Sequence, residues 1–444
     1  MVKRGYLKPL AGRWVLEEQV VYDIGIAGGG LAGMIMAARL RRLNPDLKIL
    51  VLEKESFVGG RIRSTSRENG AWAAGLKGIS EDLYNFWDGI MRENPEGADL
   101  PMFNIKDQNR LGILMAGKTK EVPLSEAFTE KGAKAFAGAA AQRDWKNVEA
   151  LFDAEKKDLK PISQNFASAF KGNKRSPSAV VLENLARLWG VADLWSCQTK
   201  VFLERSRSYQ QTNYLGDWNG ALQELMKGSG AEVTIKTESR ILASHRKDDA
   251  WILDTVSGHY SCKRLVVAQP PWDASSWLNR NDLPPTLTAV VTRSKPSSLV
   301  VISDIMTGHE DYDFPDVLLI PAENVQVVID GAEICFQATL DYELTMQAPA
   351  VVKAVKRLKR ARKKFLGAYE GVKCEGDYLA LIPVGWGHLT QPGERRVANK
   401  LSGSDIQKDH LLFCGDAYGA ESNGDQNFIE SCNYAYELVK GRLN

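Results

Sequence analysis

The chain has 444 residues, a length that predicts two domains rather than one small core. A hydrophobic content of 44%, a charged content of 25% and a formal net charge of +2 are ordinary for a soluble globular protein, and they argue against a nucleic-acid binder that works by bulk charge. No run of about 18 uncharged apolar residues is present, so no transmembrane segment is predicted, and residues 1–19 lack the apolar stretch of a signal peptide.

The six cysteines are scattered along the chain, without a CxxC pair. This distribution predicts reduced thiols in a cytoplasmic protein rather than a disulfide framework or a zinc site. The five histidines also lack the spacing of metal ligands, so the sequence predicts no metal site.

A strand, a glycine-rich turn and a helix follow residues 1–19. The run "VVYDIGIA" is short and apolar, which is typical of a strand buried on both faces. Gly28, Gly30 and Gly33 then have GxGxxG spacing, in which the first permits a tight turn, the second admits a pyrophosphate and the third lets helix and strand pack closely. The N-terminus of the helix would offer N–H groups to the phosphates.

A second strand, "LKILVLE", ends at Glu53, which lies 20 residues after Gly33. An acid at this place accepts hydrogen bonds from ribose hydroxyls, and it favours a free 2′-hydroxyl over a 2′-phosphate. A GxGxxG pattern alone is a weak signal. The order strand, glycines, helix, strand and acid predicts a dinucleotide site.

The segment after Glu53, "EKESFVGGRIRS", resembles the signature of the flavin-containing amine oxidase superfamily. This group includes amine and L-amino-acid oxidases and the related protoporphyrinogen oxidases and carotenoid desaturases. The resemblance implies that the dinucleotide is FAD, that Gly59 and Gly60 bring backbone close to its pyrophosphate, and that Arg61 supports the phosphates. A guanidinium can do so bidentately, whereas a lysine cannot.

Three later segments resemble the same superfamily in the expected order: "GDWNGALQELMKGSGAEVTIKTESRI", "RLVVAQPP" and "HLLFCGDAYGAESNGDQNFIESCNYAYELV". The resemblance implies that Val233 meets the adenine through its backbone and that Asp416, after Gly415, bonds the ribityl chain. The last helix, starting near Gln426, would direct N–H groups at the flavin O2. The candidate cofactor-binding residues at its start are Gln426, Asn427 and Phe428.

These segments predict an α/β protein with a Rossmann-type FAD-binding domain, a parallel sheet with helices, and a substrate-binding domain with a mixed sheet and helices. The FAD-binding domain would comprise residues 20–104, 215–285 and 395–444. The substrate-binding domain would comprise residues 105–214, which are rich in helix-period runs, and 286–394, which contain strand-like runs. Residues 1–19 would be an N-terminal extension.

The residues expected near the reacting part of the flavin depart from the superfamily. Members of the superfamily often carry a lysine on a strand of the substrate domain, where it holds a water near flavin N5. Lys295 is the candidate for this lysine, and Ser298 would take its place in another register. The loop before the last helix has Gly424 where many relatives carry an aromatic residue of a substrate cage, and Trp386 is the candidate replacement. A solvent-facing Lys295 and a Trp386 packed between domains are equally compatible with the sequence.

Two further comparisons with the superfamily bear on substrate and cofactor. The stretch "AWAAGLKGIS" offers Lys77 and Gly78 where amino-acid oxidases place an arginine for the substrate carboxylate, and a lysine lacks the bidentate fit. Some relatives attach FAD through a cysteine, but none lies between Cys374 and Cys414. Noncovalent FAD is therefore predicted.

A basic run, "VVKAVKRLKRARKKF", contains eight Lys or Arg residues within 351–365. Val351, Val355, Leu358 and Phe365 recur at helical spacing, which predicts an amphipathic helix with a basic outer face. Its charge is either balanced within the protein, or Lys353–Lys364 dock an acidic partner protein or an anionic membrane. No aromatic residues interleave the run, so nucleic acid is not predicted as a partner.

These features predict an FAD-dependent oxidoreductase that oxidises an amine or amino-acid-like group by hydride transfer to flavin, with O2 as acceptor. One alternative is a maturation enzyme that oxidises a side chain of a partner protein, as in the biogenesis of quinone cofactors. Another is a desaturase of the protoporphyrinogen or carotenoid type. A flavin-stabilised scaffold without activity is the non-enzymatic alternative.

Overall fold

In a computed structural model of the protein, the described residues are 5–10, 13–18, 20–62, 64–67, 70–73, 78–79, 81–93, 103–106, 110–115, 117–121, 183, 213–216, 218–227, 230, 232–288, 297–341, 347–384, 406–418 and 424–443. The strands in chain order are β1 Gly5–Leu10, β2 Arg13–Glu18, β3 Val21–Ala27, β4 Ile49–Leu52, β5 Ser64–Arg67, β6 Gly70–Ala73, β7 Gly78–Ile79, β8 Phe103–Lys106, β9 Leu111–Met115, β10 Lys118–Glu121, β11 Asn213–Gly216, β12 Val233–Lys236, β13 Ile241–Lys247, β14 Ala250–Thr255, β15 Gly258–Val267, β16 Ser297–Thr307, β17 Val317–Ile320, β18 Val325–Asp330, β19 Glu333–Asp341, β20 Lys373–Val384 and β21 Leu411–Phe413. The helices are α1 Leu31–Leu43, α2 Glu81–Arg92, α3 Trp218–Leu225, α4 Pro271–Ala274, α5 Ala348–Ala368 and α6 Gly424–Leu443, with short 3-10 turns at Gly60–Ile62 and Pro321–Glu323.

The first sheet carries the glycine turn. Its strands lie in the order β12-β4-β3-β15-β14-β13, and β21 pairs with the end of β15. β12, β4, β3, β15 and β21 run parallel, whereas β13 and β14 add an antiparallel edge. Strands from three separated parts of the chain are thus hydrogen-bonded in one sheet.

Both faces of this sheet are covered, which is why its central strands are apolar throughout. Ile24, Ile26 and Val51 pack against α1, α2, α3 and α6 on one face. On the other face, Leu265 packs in a cluster with Trp251 and with residues around α4. The arrangement is the layered Rossmann-type architecture that the sequence predicts.

The second sheet has the order β10-β9-β17-β18-β19-β16-β20. It is antiparallel except for the parallel pair β9 and β17. α5 follows β19 and covers one face of the sheet, where Leu358 and Phe365 pack against Phe336 and Ile302. The predicted α/β class with a second, mixed sheet is confirmed, while the division of the chain into two domains stays a prediction.

Smaller elements complete the described part of the chain. β1 and β2 form an antiparallel hairpin within the predicted N-terminal extension, and β5 and β6 form another. β7, β11 and β8 form a separate sheet. The helix-period runs of 105–214 lie outside the described residues, and β9 and β10 of that stretch belong to the second sheet. None of the described helices combines the length and the apolar composition of a membrane span.

Candidate functional site

The turn between β3 and α1 has a backbone that only glycine adopts without strain or collision. Gly28 has a φ of +107°, in the region that L side chains rarely occupy. A Cβ on Gly33 would lie 1.9 Å from the carbonyl oxygen of Gly28, so glycine is what allows α1 to begin so close to β3. Among the described residues, a Cβ on Gly30 would meet only Gly60 Cα, at 4.0 Å, so this part of the structure leaves space beside the Gly30 backbone. No described side chain caps the first turn of α1, so its N–H groups can bind an anion.

The double glycine lies directly on this turn. The Gly59 N–H donates to the carbonyl oxygen of Gly29 at 2.8 Å. Gly60 has a φ of +59°, and a Cβ there would lie 3.2 Å from Gly30 Cα. The two glycine turns therefore touch, and they border one space.

Glu53 is held at the end of β4 by two backbone donors. Its Oε2 accepts the Gly29 N–H at 2.7 Å, and its Oε1 accepts the Glu55 N–H at 2.9 Å. Burial raises the pKa of Glu53, and the two hydrogen bonds act against that rise without cancelling it. Because a carboxylate offers about four acceptor positions, Glu53 retains capacity for ribose hydroxyls.

Val233 does not reach this end of the sheet. It pairs with Ile49, the first residue of β4, and so lies about 10 Å from the carboxyl end, where Glu53 sits. The backbone that meets Glu53 is that of Ser239, whose N–H donates to the Glu53 carbonyl oxygen at 2.7 Å. The sequence places the strand correctly, but it does not show which end of the strand faces the site.

Arg61 and Asp416 form an ion pair between the double-glycine turn and the last segment of the chain. Arg61 Nη1 donates to Asp416 Oδ2 at 2.7 Å, and Nη2 donates to Oδ1. Burial lowers the pKa of Arg61, but the charges of Asp416 and Asp425 outweigh burial and raise it. The sequence assigns the two residues to different parts of the cofactor, and the structure brings them together.

The turn after β21 is fixed by the first turns of α6. The Gly415 N–H donates to Ser431 Oγ at 2.9 Å, and Asn427 Nδ2 donates to the Asp416 carbonyl oxygen at 3.1 Å. Ser431, which the sequence does not single out, and Asn427 are both buried. α6 begins at Gly424, two residues before the predicted start.

The other two candidates at the start of α6 point elsewhere. Gln426 Nε2 donates to Glu430 Oε1 at 2.8 Å on the same helix. Phe428 is buried, and its ring meets the ring of Phe86 edge to face, with centroids 6.3 Å apart. Their side chains therefore support the helix, and only backbone N–H groups remain for a ligand.

The candidates for the reacting end are mostly outside the described residues, among them Lys295, Trp386 and Lys77. Ser298, the alternative to Lys295, is buried and pairs with Leu340. Leu340 belongs to the cluster under α5, so Ser298 lies on that face of the second sheet.

The opposite face of the second sheet is buried and partly polar. Gln326 and Gln337 lie side by side there, with Gln326 Nε2 donating to Gln337 Oε1 at 3.5 Å. Ser303 Oγ donates to Cys335 Sγ in the next row, at 3.6 Å. Their neighbours on these strands, such as Phe336 and Val327, point to the α5 side. The strand-like runs within 286–394 predict strands here, but they do not indicate this polar patch.

Comparison with known proteins agrees with the geometry of the first sheet. Residues 26–87 match the family described as an NAD(P)-binding Rossmann-like domain. Over 52 residues the chain is 38% identical to mitochondrial L-2-hydroxyglutarate dehydrogenase of Dictyostelium discoideum. That match covers 12% of this chain and 12% of the relative, so it concerns a short segment only.

Solved structures resemble nearly the whole chain. Cyclohexylamine oxidase from Brevibacterium oxydans has a TM-score of 0.64 at 13% identity, covering 96% of this chain and 100% of that one. Putrescine oxidase bound to putrescine has a TM-score of 0.62 at 12% identity, and the match covers 96% of this chain and 99% of that one. A protein described as a putative protoporphyrinogen oxidase from Exiguobacterium has a TM-score of 0.60 at 13% identity, and the match covers 96% of this chain and 100% of that one. The chain therefore has the fold of the flavin amine oxidases, and the resemblance seen in the sequence is confirmed for the fold.

Proposed function

We propose that this protein, which has the flavin amine oxidase fold, is an FAD-dependent oxidoreductase. Its reaction would be the oxidation of a carbon–nitrogen group by hydride transfer to flavin, with O2 as acceptor. The observation that carries the proposal is the meeting of the two glycine turns at Gly30 and Gly60, beside the carboxylate of Glu53. This arrangement leaves backbone next to open space at the carboxyl end of a parallel sheet, where such folds bind nucleotides.

The residues around the turns fit FAD. Glu53 would accept the ribose hydroxyls, and the backbone of Gly30 and Gly60 would border the pyrophosphate. Arg61 would contact the phosphates and Asp416 the ribityl chain. Their mutual ion pair supports this assignment, because it holds both side chains at one place.

Noncovalent attachment is part of the proposal. Cys414, next to the cofactor turn, is fully buried. Its hydrogen bond with Cys432 and its burial raise its pKa well above the ordinary value, which disfavours the thiolate needed for attachment. We also propose a cytoplasmic location, because the six scattered cysteines include no CxxC pair.

The bound flavin would supply the redox chemistry, and the chain would supply position and electrostatics. Asn427 and Ser431 would fix the turn that carries Asp416, and the first turn of α6 would direct N–H groups toward the flavin. Lys295 and Trp386 keep their proposed roles, the first holding a water and the second forming a wall for the substrate.

The proposal is tested with purified protein. We expect it to be yellow, and its flavin to bleach anaerobically with a reactive amine from a broad panel. Gly30→Val should abolish flavin binding, because its side chain would fill the space beside the turn, while the protein stays folded by circular dichroism. Gly89→Val is the matched control, because Gly89 is exposed and a Cβ there meets nothing within 4 Å. The proposal would be refuted if both variants kept their flavin, or if no amine of the panel bleached it.

A second candidate keeps the flavin and takes a side chain of a partner protein as substrate. The observation that favours it is an exposed row of lysines on α5, described below, together with the lack of an arginine for a free substrate carboxylate. It is tested by incubating the flavoprotein with a candidate partner encoded nearby and following the mass of the partner. A mass unchanged under oxygen would exclude that partner.

A desaturase acting on a polyene or polycycle would need a long apolar tunnel. We propose that the substrate lies against the face of the second sheet opposite α5, where the buried Gln326, Gln337 and Ser303 would favour a substrate that forms hydrogen bonds. The discriminating measurement is flavin reduction by protoporphyrinogen, and we expect none.

A further inference from the structure

The helix α5 packs its apolar side on the second sheet. Ala354, Leu358, Ala361 and Phe365 have at most 1% of their surface exposed, and they pack on the second sheet. The helix is therefore a fixed part of the fold, and its apolar face is not available to another molecule.

Half of its basic side chains are used within the protein. Arg360 and Lys364 both bond the carboxylate of Glu323, and Arg362 bonds Asp304, which is fully buried. Arg357 Nε donates to the Glu323 carbonyl oxygen at 2.8 Å. These four side chains are thus engaged within the protein, three of them with carboxylates.

The other half faces solvent. Lys353, Lys356, Lys359 and Lys363 are exposed, and the ion pairs of α5 with described residues do not include them. Lys356, Lys359 and Lys363 follow Val352 at spacings of three and four residues, so the four side chains form one row along the helix. Val352 is itself 51% exposed.

An apolar strip on β20 lies on the same side of the second sheet as α5. Leu379 and Leu381 are 52% and 40% exposed. They pair with Ile302 and Val300, which lie under α5, so both leucines point to the α5 side of the sheet. We call Val352, Lys356, Lys359, Lys363, Leu379 and Leu381 together the α5–β20 surface.

The contacts of α5 show which of its flanks faces β20. Arg362 Nη2 donates to the Cys374 carbonyl oxygen on β20 at 2.6 Å, whereas Arg360 and Lys364 reach Glu323 on the other flank. Lys359 lies one turn before Arg362 and further toward solvent, so the lysine row leans toward β20. β20 has β16 as its one neighbouring strand in the described part of the chain.

We propose that the α5–β20 surface docks an extended segment of a partner protein in which every second residue, the set that faces α5, is either apolar or acidic. Its backbone would extend the sheet at β20, its apolar residues would cover Leu379 and Leu381, and its carboxylates would meet the lysine row. A lipid surface fits less well, because an interfacial helix inserts its apolar face, and that face of α5 is buried.

The position of this surface connects it to the cofactor turn. β20 contacts the 3-10 turn Gly60–Ile62, which contains Arg61. A docked segment would thus lie on a strand that touches this turn, although docking itself does not depend on the proposed reaction.

The probe is a fluorescent peptide long enough to span β20, in which leucine and glutamate take the positions of one face and threonine takes the positions between them. We expect its anisotropy to rise with the full-length flavin-loaded protein, and the affinity to fall as salt is added. Lys356→Glu, Lys359→Glu and Lys363→Glu together should weaken binding at least about tenfold, because three attractive pairs become repulsive. Leu379→Ser with Leu381→Ser should weaken it too, without the same change in salt dependence.

The matched control reverses three exposed lysines elsewhere, Lys118, Lys236 and Lys247, and changes the net charge equally. The proposal is overturned if this control weakens binding as much, if the peptide does not bind, or if vesicles of phosphatidylserine bind the protein and the peptide does not compete. Visible absorbance reports flavin content in every variant. A colourless protein that still binds the peptide would refute the proposed reaction and leave the docking surface standing.

Discussion

The ion pair between Arg61 and Asp416 allows the sharpest test of how the nucleotide site is assembled. The side chains are 26% and 12% exposed, so the pair is partly desolvated, and both hydrogen bonds of the guanidinium contribute to the free energy of unfolding. In Asp416→Asn, one carbonyl oxygen can still accept from Arg61, but the amide NH2 would oppose the second N–H. Losing one hydrogen bond between charged groups costs about 1.5–3 kcal/mol, roughly a ten- to hundredfold change in the folding equilibrium.

The assay is denaturant unfolding of the flavin-free protein, followed by flavin titration. Asp409→Asn is the control, because the Arg442–Asp409 pair is exposed at 53% and 65% and should contribute under about 1 kcal/mol. Arg61→Gln, alone and combined with Asp416→Asn, completes a double-mutant cycle, in which we expect a clear coupling energy. If Asp416→Asn loses no more stability than Asp409→Asn, or if the cycle shows no coupling, the two segments are not joined through this pair.

Four further predictions concern other parts of the molecule. Gly33→Ala should cost at least about 1–3 kcal/mol and most of the flavin affinity, because its methyl would collide with the Gly28 carbonyl, and unfolding with flavin titration checks both. Phe365→Ala should cost about 3–5 kcal/mol while the remaining folded protein keeps its flavin, and a loss of affinity would contradict this. Lys295→Met should slow anaerobic flavin reduction without lowering flavin content, and an unchanged rate would remove Lys295 from the mechanism. Burial raises the pKa of Glu323, but its bonds to Lys364 and Arg360 outweigh burial and hold the pKa below its ordinary 4.5. The folded state therefore binds fewer protons, and stability is lost as the pH falls below about 4.5 through the folded pKa. Glu323→Gln should be less stable than the wild type at neutral pH, and its free energy of unfolding should fall less as the pH is lowered. Equal slopes of unfolding free energy against pH for the two proteins would show that Glu323 does not pair with Lys364 and Arg360.

The nucleotide turn could be predicted because its information is local. Gly28, Gly33 and Glu53 lie in one strand–helix–strand unit, and their spacing alone requires the tight turn and the terminal acid. Ser239 could not be predicted in the same way. The run around Val233 indicates a strand, but only its parallel pairing with β4 decides which end reaches Glu53.

Contacts between distant segments were also beyond the sequence. Arg61 and Asp416 are 355 residues apart, and no local pattern in either segment indicates that the two side chains pair. The periodicity of α5 predicted an amphipathic helix with a basic face. It could not show that Glu323 and Asp304, from other elements, neutralise part of that face.

The length of chain between Arg61 and Asp416 has a consequence for biosynthesis. At about 5–20 residues per second, a ribosome needs roughly 20–70 s to make the 355 residues that separate them. During that time the nascent protein has its glycine turns but lacks β21 and the acidic side chain that secures them. Loading with the proposed cofactor would therefore be a late, post-translational event, and a ribosome stalled before Asp416 would carry a chain without the Arg61–Asp416 pair.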